Sequence, residues 1–262
     1  TLIAGSGNDS INAGTGDDSV NAGDGSNTVL GGEGADNVSA SSGNDVLLGE
    51  DGNDSLTAFS GNDSVVGGIG DDTILGQSGF DTLDGGEGND QITEGGDNSS
   101  NLIFGRGGND TISSSGSGAD SINAGIGDDI VNAGSGANTI LGEDGNDTLI
   151  AAGAGNDSIN AGTGDDRVDA VSGSNTVLGQ DGNDIILASG SGNNQLFGGI
   201  GADTITSSGP SAADFIDAGD DADSVDAGNG ANTILGGGGN DTLIAAVGAD
   251  SVYAGTGDDI VS

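Results

Sequence analysis

Aspartate is the one side chain in this sequence with both the chemistry and the spacing to make a site. The chain has 43 acidic residues against two basic ones, no His and no Cys, and a net charge of −41. In "GIGDDIVNAGSGANTILGEDGND" (125–147) a nine-residue beat is marked by Asp129, Asn138 and Asp147. The beat runs through Asp9, Asp18, Asn27, Asp36, Asp45, Asp54, Asp63, Asp72, Asp81, Asp90, Asn101, Asp110 and Asp120 before that stretch. After it come Asp157, Asp166, Asn175, Asp184, Asn194, Asp203, Asp214, Asp223, Asn232, Asp241, Asp250 and Asp259, which makes 28 markers. Carboxylates repeated in phase are suited to hard cations, which take oxygen ligands. They are not suited to nucleic acid or anionic membranes, which need Lys and Arg.

Catalysis needs one irregular constellation, and none stands out. There is no His or Lys, and Ser and Asp repeat in register. The chain reads as a non-enzyme. Arg106 and Arg167 read as surface residues, Tyr253 as packing, and Pro210 as shaping an inserted loop, "SSGPSAAD". No uniform Thr rank supports an ice-binding ladder. No apolar run is long enough to cross a bilayer, so membrane insertion is not expected.

Composition alone describes a disordered chain. With 57 Gly, 2% aromatics and −41, it cannot bury enough apolar surface to offset chain entropy and self-repulsion. Only a strict repeat with a counter-charge lets such a chain fold. The repeat is present. Ile, Leu or Val stands two residues after every marker, and Gly two residues before 25 of the 28. Three residues around each aliphatic predict a short strand with the aliphatic inward, and the six preceding residues predict a turn. Two facing strands close one 18-residue coil, and stacked coils share a core. About 14 coils at the usual strand spacing predict a rod roughly 65–70 Å long.

The units "GGIGDDTIL" (67–75) and "GGEGNDQIT" (86–94) resemble the RTX nonapeptide repeat, G-G-x-G-x-D-x-U-x, over essentially the whole chain. That resemblance implies an all-β parallel β-roll without helices, binding calcium, usually in bacterial proteins exported by type I secretion. The first Gly is often Ala or Ser here, as in "AGTGDD" and "ASSGND", so that position should tolerate a small side chain. Residues 1–262 read as a single continuous segment, and a piece of a longer array.

Calcium also follows from the charge. Stacked carboxylates about 5 Å apart repel by about 1 kcal/mol per pair even in water. A calcium ion between coils removes this and accepts six or more oxygens in flexible geometry, where magnesium demands a tighter octahedron. Zinc lacks its preferred His and Cys. The expected ligands are the marker Asp of one coil, the marker Asp 18 residues on, and Gly-rich backbone carbonyls.

The markers are not equivalent. Counted in order, the even ones (Asp18, Asp36, Asp54, Asp72, Asp90, Asp110, Asp129, Asp147, Asp166, Asp184, Asp203, Asp223, Asp241, Asp259) are all Asp. The odd ones include Asp9, Asp45, Asp63, Asp81, Asp120, Asp157, Asp214 and Asp250, and all six Asn. The five departures from nine-residue spacing (90→101, 110→120, 147→157, 184→194, 203→214) all lead into odd markers. The even edge offers 13 Asp–Asp gaps and the odd edge two, Asp45/Asp63 and Asp63/Asp81. Filling the even gaps with divalent ions would bring −41 to −15. Odd sites should be weaker or empty, and the odd edge the better candidate for contacts with other chains. Each Asn marker has a large apolar residue three positions on: Leu30, Phe104, Leu141, Leu178, Phe197 and Leu235. The favoured reading is a plug for the core end at a metal-free turn, and the other is an apolar stripe for lateral packing.

Two functions fit. One is a calcium-stiffened extracellular segment of a surface layer, fibre or adhesin stalk, with copies of itself or other surface components as partners. The alternative is the secretion and folding module of a toxin, protease or other exoenzyme whose activity lies in a flanking domain.

Overall fold

Each aliphatic of the repeat is a core residue because strand side chains alternate. In strand Thr28–Glu33, Val29 and Gly31 are buried while Leu30 faces outward. The computed structural model describes residues 1–210 and 212–262 of the chain. The expected loop at Pro210 includes Ser211, which lies outside the described residues.

The chain divides into two compact units, Thr1–Ile130 and Val131–Ser262. Each is a β-solenoid of parallel strands, two per coil, with the strands that follow even markers in one sheet and those that follow odd markers in the other. Register is fixed by the aliphatics. In the first unit Val29, Leu47, Val65, Leu83, Ile103 and Ile122 stack in one sheet. Val20, Val38, Leu56, Ile74, Ile92 and Ile112 stack in the other. In the second unit Ile140, Ile159, Val177, Leu196, Ile216 and Ile234 form one column. Leu149, Val168, Ile186, Ile205, Val225 and Leu243 form the other. Each fully buried aliphatic contributes roughly 1.5–3 kcal/mol.

Strand length corrects the expected three residues. Strands that leave an odd marker and lead to an even one run six residues, such as Thr28–Glu33, Val46–Asp51 and Gln195–Ile200, except the last, Ser251–Tyr253, which has three. They absorb the first half of what the sequence reads as turn. Strands leading to odd markers vary, from three residues in Asn37–Ser39 to four in Gln91–Glu94 and six in Thr73–Ser78. Four of the five spacing insertions follow four-residue strands, and the fifth, before Asp157, follows the seven-residue strand Thr148–Ala154. The even turns are uniform. Gly32 and Gly34 take φ of 116° and 122°, where a Cβ would meet the preceding coil's backbone, and Glu50, Arg106, Glu143 and Gln180 take a smaller positive φ of 79° to 86° at the position of Gly32.

The six large apolar residues are not core plugs. Leu30, Phe104, Leu141, Leu178, Phe197 and Leu235 sit half-buried on the outer faces of their strands, because alternation turns the residue after the core aliphatic outward. Phe197 packs on Phe215 with ring centres 5.7 Å apart, and the Arg106 guanidinium covers Phe104 at 4.5 Å while pairing with Asp84 at 2.8 Å. Tyr253, expected to pack, is 63% exposed.

Candidate metal sites

Coil stacking buries every marker except Asp9, Asp18, Asp250 and Asp259. Asp36, Asp54, Asp72, Asp90, Asp110, Asp166, Asp184, Asp203, Asp223 and Asp241 are buried on the even edge. Each turns one oxygen to a backbone amide of the preceding coil. The Asp18 N–H donates to Asp36 Oδ1 at 2.7 Å, Asp36 to Asp54 at 2.7 Å, Asp54 to Asp72 at 2.7 Å, and Asp72 to Asp90 at 2.8 Å. In the second unit the Asp147 N–H donates to Asp166, Asp166 to Asp184, Asp184 to Asp203 and Asp203 to Asp223, all within 2.7–2.8 Å. One carboxylate oxygen per coil is therefore committed to the backbone, so the expected two-carboxylate clamp has only one free oxygen from each marker.

The other oxygen has no partner. Oδ2 of those ten aspartates is buried without a hydrogen bond. It lies beside a backbone position that has no room for a bulky side chain. A Cβ on Gly31 would stand 2.5 Å from Asp36 Oδ2 and 2.8 Å from the Gly49 carbonyl oxygen. The same pairing of Asp Oδ2 with the next coil's carbonyl surrounds Gly49, Gly67, Gly85, Gly105, Gly179, Gly198 and Gly236. Ala124, Ala161 and Ala218 occupy the equivalent position with buried methyls, as expected for a small side chain. A bare carboxylate oxygen facing a carbonyl oxygen is a donor set for a hard cation. Among the described residues no group of three or more acidic side chains forms a ready-made metal cluster, since carboxylates enter one per coil.

Burial makes these charges costly. Asp72, Asp110, Asp166, Asp203 and Asp223 are pushed up to about 7, first by desolvation and then by the like charges of column neighbours. The backbone N–H bond opposes the shift without cancelling it.

The odd edge resolves the same problem internally. Asp45, Asp63 and Asp81 keep an unpartnered Oδ2; they are the three carboxylates of the two odd Asp–Asp gaps. Elsewhere amides and hydroxyls intervene. Asn27 accepts the Asp9 N–H on Oδ1 at 3.0 Å and donates Nδ2 to the carbonyls of Gly23 and Gly25 at 3.3 and 2.9 Å. Asn138 donates to Ala133 and Gly136, and Asn232 to Ala227 and Gly228. The amide thus occupies turn carbonyls that an Asp turn leaves open. Asn194 Nδ2 donates to Asp214 Oδ1 at 3.1 Å, and Ser207 Oγ donates to Asp214 Oδ2 at 2.7 Å. Ser114 Oγ caps Asp120 Oδ2 in the same way. Asp157 accepts the Asn138 N–H at 2.8 Å. Asp9, Asp18, Asp250 and Asp259 are only half-buried.

Sequence reasoning missed two features. Ser114, Ser207 and Glu94 stand two residues after a core aliphatic, where every other repeat has Gly or Ala; that departure was the available signal. The second is an outer ladder from the residue before the marker where that residue is Asn, Asp or Ser, as at Asn8, Asp17 and Ser26, running the opposite way. Asn44 Oδ1 accepts the Asn62 N–H at 3.0 Å, Asn53 the Asp71 N–H at 3.1 Å, and Asp71 the Asn89 N–H at 2.8 Å. Each turn is held from the coil before and the coil after.

Stacked coils with one buried, half-satisfied carboxylate apiece define a cation-binding repeat solenoid. The comparison with known families then specifies which. The RTX calcium-binding nonapeptide repeat matches residues 3–38, 30–65, 39–74, 57–92, 66–99, 95–117, 114–149, 150–177, 179–209, 211–234 and 226–261. The chain belongs to that family, and its cofactor is calcium in multiple copies. No curated protein matches the chain. Among solved structures it is similar to the X-ray crystal structure of a hyperactive, Ca2+-dependent, beta-helical antifreeze protein from an Antarctic bacterium. The identity is 21% and the TM-score 0.47, over 90% of this chain and 83% of that one.

Proposed function

We propose that this chain is a calcium-folded structural segment of a secreted bacterial surface protein, part of a surface layer, fibre or adhesin stalk. The observation that carries the reading is the row of buried Asp Oδ2 atoms, each unpartnered beside a carbonyl oxygen. On this reading the even markers Asp18 to Asp259 and the odd markers Asp45, Asp63 and Asp81 supply the carboxylate ligands, with carbonyls such as that of Gly49 completing each site. Calcium supplies the counter-charge that −41 requires. The chain's own residues do the rest. The backbone amides orient each carboxylate, and small residues at the cradle leave space. The aliphatic columns exclude water from one side.

Binding energy is then folding energy. A calcium-poor cytosol keeps the chain extended for export, and calcium outside the cell folds it. Circular dichroism with and without chelator tests this. A disordered spectrum in chelator that converts cooperatively to β on adding calcium is expected. A β spectrum that survives excess chelator at pH 8 overturns it. Protease digestion after expression in a low-calcium cytosol checks the export half: the chain should be cut freely there and resist once calcium is added.

A further inference from the structure

Two residues after each core aliphatic the side chain points into the solenoid, and Gly, Ala or Ser stands there in every repeat but one. The exception is Glu94, at the end of strand Gln91–Glu94. It is 1% exposed, and its Oε1 has no hydrogen-bond partner. Its Oε2 lies a long 3.4 Å from Ser114 Oγ, the residue in register with it on the next coil, whose one proton goes to Asp120 Oδ2. On the preceding coil, the Thr93–Leu75 pairing brings Gly76 beside Glu94. A Cβ on Gly76 would stand 2.8 Å from Asp81 Oδ2, which is itself buried and unpartnered. Register thus brings two orphan carboxylates from adjacent coils into one neighbourhood.

The surroundings raise the cost of leaving them bare. Burial and the charges of Asp97, Asp120 and Asp81 push Glu94 up to about 8. Asp97, in the inserted turn, stays ionised and adds to this, because it accepts from the Gly79 N–H at 2.9 Å and from Ser99 at 2.8 and 3.0 Å. The marker of the Glu94 coil is Asn101, whose Oδ1 takes the Asp81 N–H at 2.8 Å and which brings no charge. Charge lost at the marker reappears on the strand.

We propose that Glu94 Oε1 and Asp81 Oδ2 hold a calcium ion that closes the short odd-edge row of Asp45, Asp63 and Asp81. Two carboxylates balance one divalent cation, and calcium's flexible shell accepts carbonyl and water oxygens for the rest. Glu94 is not a marker of the nonapeptide, so this site stands or falls separately from the columns.

Glu94→Gln provides the test, because the amide has the shape of a protonated acid but no charge. Calcium bound per chain at saturation, measured by equilibrium dialysis, should fall by one ion in E94Q. An unchanged count means that Glu94 is held as a neutral acid, and overturns the proposal. A long-wavelength anomalous map of calcium-loaded wild-type crystals gives a second measurement that needs no variant. A peak between Glu94 and Asp81 supports the site. Peaks along the columns with none here overturn it while leaving the column reading intact, and absence of column peaks counts against that reading instead.

Discussion

In each unit the two edges carry the same backbone beat and treat buried charge in opposite ways. On the even edge each buried carboxylate gives one oxygen to a backbone amide and leaves the other bare, as Asp184 does when Oδ1 accepts from Asp166 while Oδ2 has no partner. On much of the odd edge the same volume holds an amide or a capped carboxylate. Asn232 fills it with donors to Ala227 and Gly228, and Asp214 is closed by Ser207 and Asn194. The difference teaches that one repeat fold has two ways to satisfy its turns. One is completed from outside by a cation; the other is complete within the chain. A buried polar atom left unpaired costs about 1–3 kcal/mol, so many bare oxygens together make the even edge dependent on its ion.

Calcium removal should have the largest effect. The even edge loses its counter-ions along its whole length, and global unfolding is expected by circular dichroism, with hydrogen exchange accelerated in every coil. Survival of the even-edge turns in chelator would erase the contrast.

Proton uptake is the next lever. Asp63, Asp72, Asp110, Asp166, Asp203 and Asp223 sit near 7 in the calcium-free fold, against 3.8 for an ordinary carboxylate. A raised folded value means that the fold binds more protons than the unfolded chain between those two limits. Calcium-free stability should therefore be greatest below about 4 and fall as pH rises through about 7. Far-UV circular dichroism in chelator should show β structure gained on acidification from pH 8 to 5. With calcium present the sign reverses, since protons compete for the same oxygens, and the calcium midpoint should move to higher concentration in acid.

Single substitutions sharpen the comparison. Asp184→Asn removes a bare oxygen flanked by Asp166 and Asp203. It should weaken calcium-dependent folding by about 1–3 kcal/mol and yet favour the calcium-free fold, because an orphan charge disappears. Asp157→Asn, between Asn138 and Asn175, should do much less in both conditions. Calcium titrations of the two variants decide the matter, and equal shifts would dissolve the distinction between the edges. The converse change, Asn232→Asp, deletes donors to two carbonyls and buries a charge. It should cost the calcium-free fold about 1–3 kcal/mol. The smallest effect is expected for Ser207→Ala, which uncaps Asp214 Oδ2 alone, read as a modest loss of protection in the coil around residue 214 by hydrogen exchange.

Much of this contrast was legible in the sequence. The six Asn markers and the five spacing insertions share one edge, and their spacing alone marks two kinds of turn. What the Asn does there was not legible. It was expected to leave a weak or empty cation site, and the structure adds that its Nδ2 reaches carbonyls such as those of Gly23 and Gly25. Leu30 and its five counterparts were expected to plug the core, and they face outward because a six-residue strand continues the alternation past the aliphatic.

The sequence by itself determined the period, the inward aliphatic, the coil of two repeats and the identity of each column. These depend on spacing along the chain, and strand alternation converts spacing directly into facing direction. Only the tertiary structure decided which oxygen of Asp54 is spent on the Asp36 amide and which is left bare. It alone set Glu94 against Asp81 and ran the Asn44 ladder against the Asp45 one. The physical reason is that a carboxylate's partners lie one coil away, 18 to 20 residues along the chain. No local pattern states how two coils divide their donors and acceptors until they are stacked.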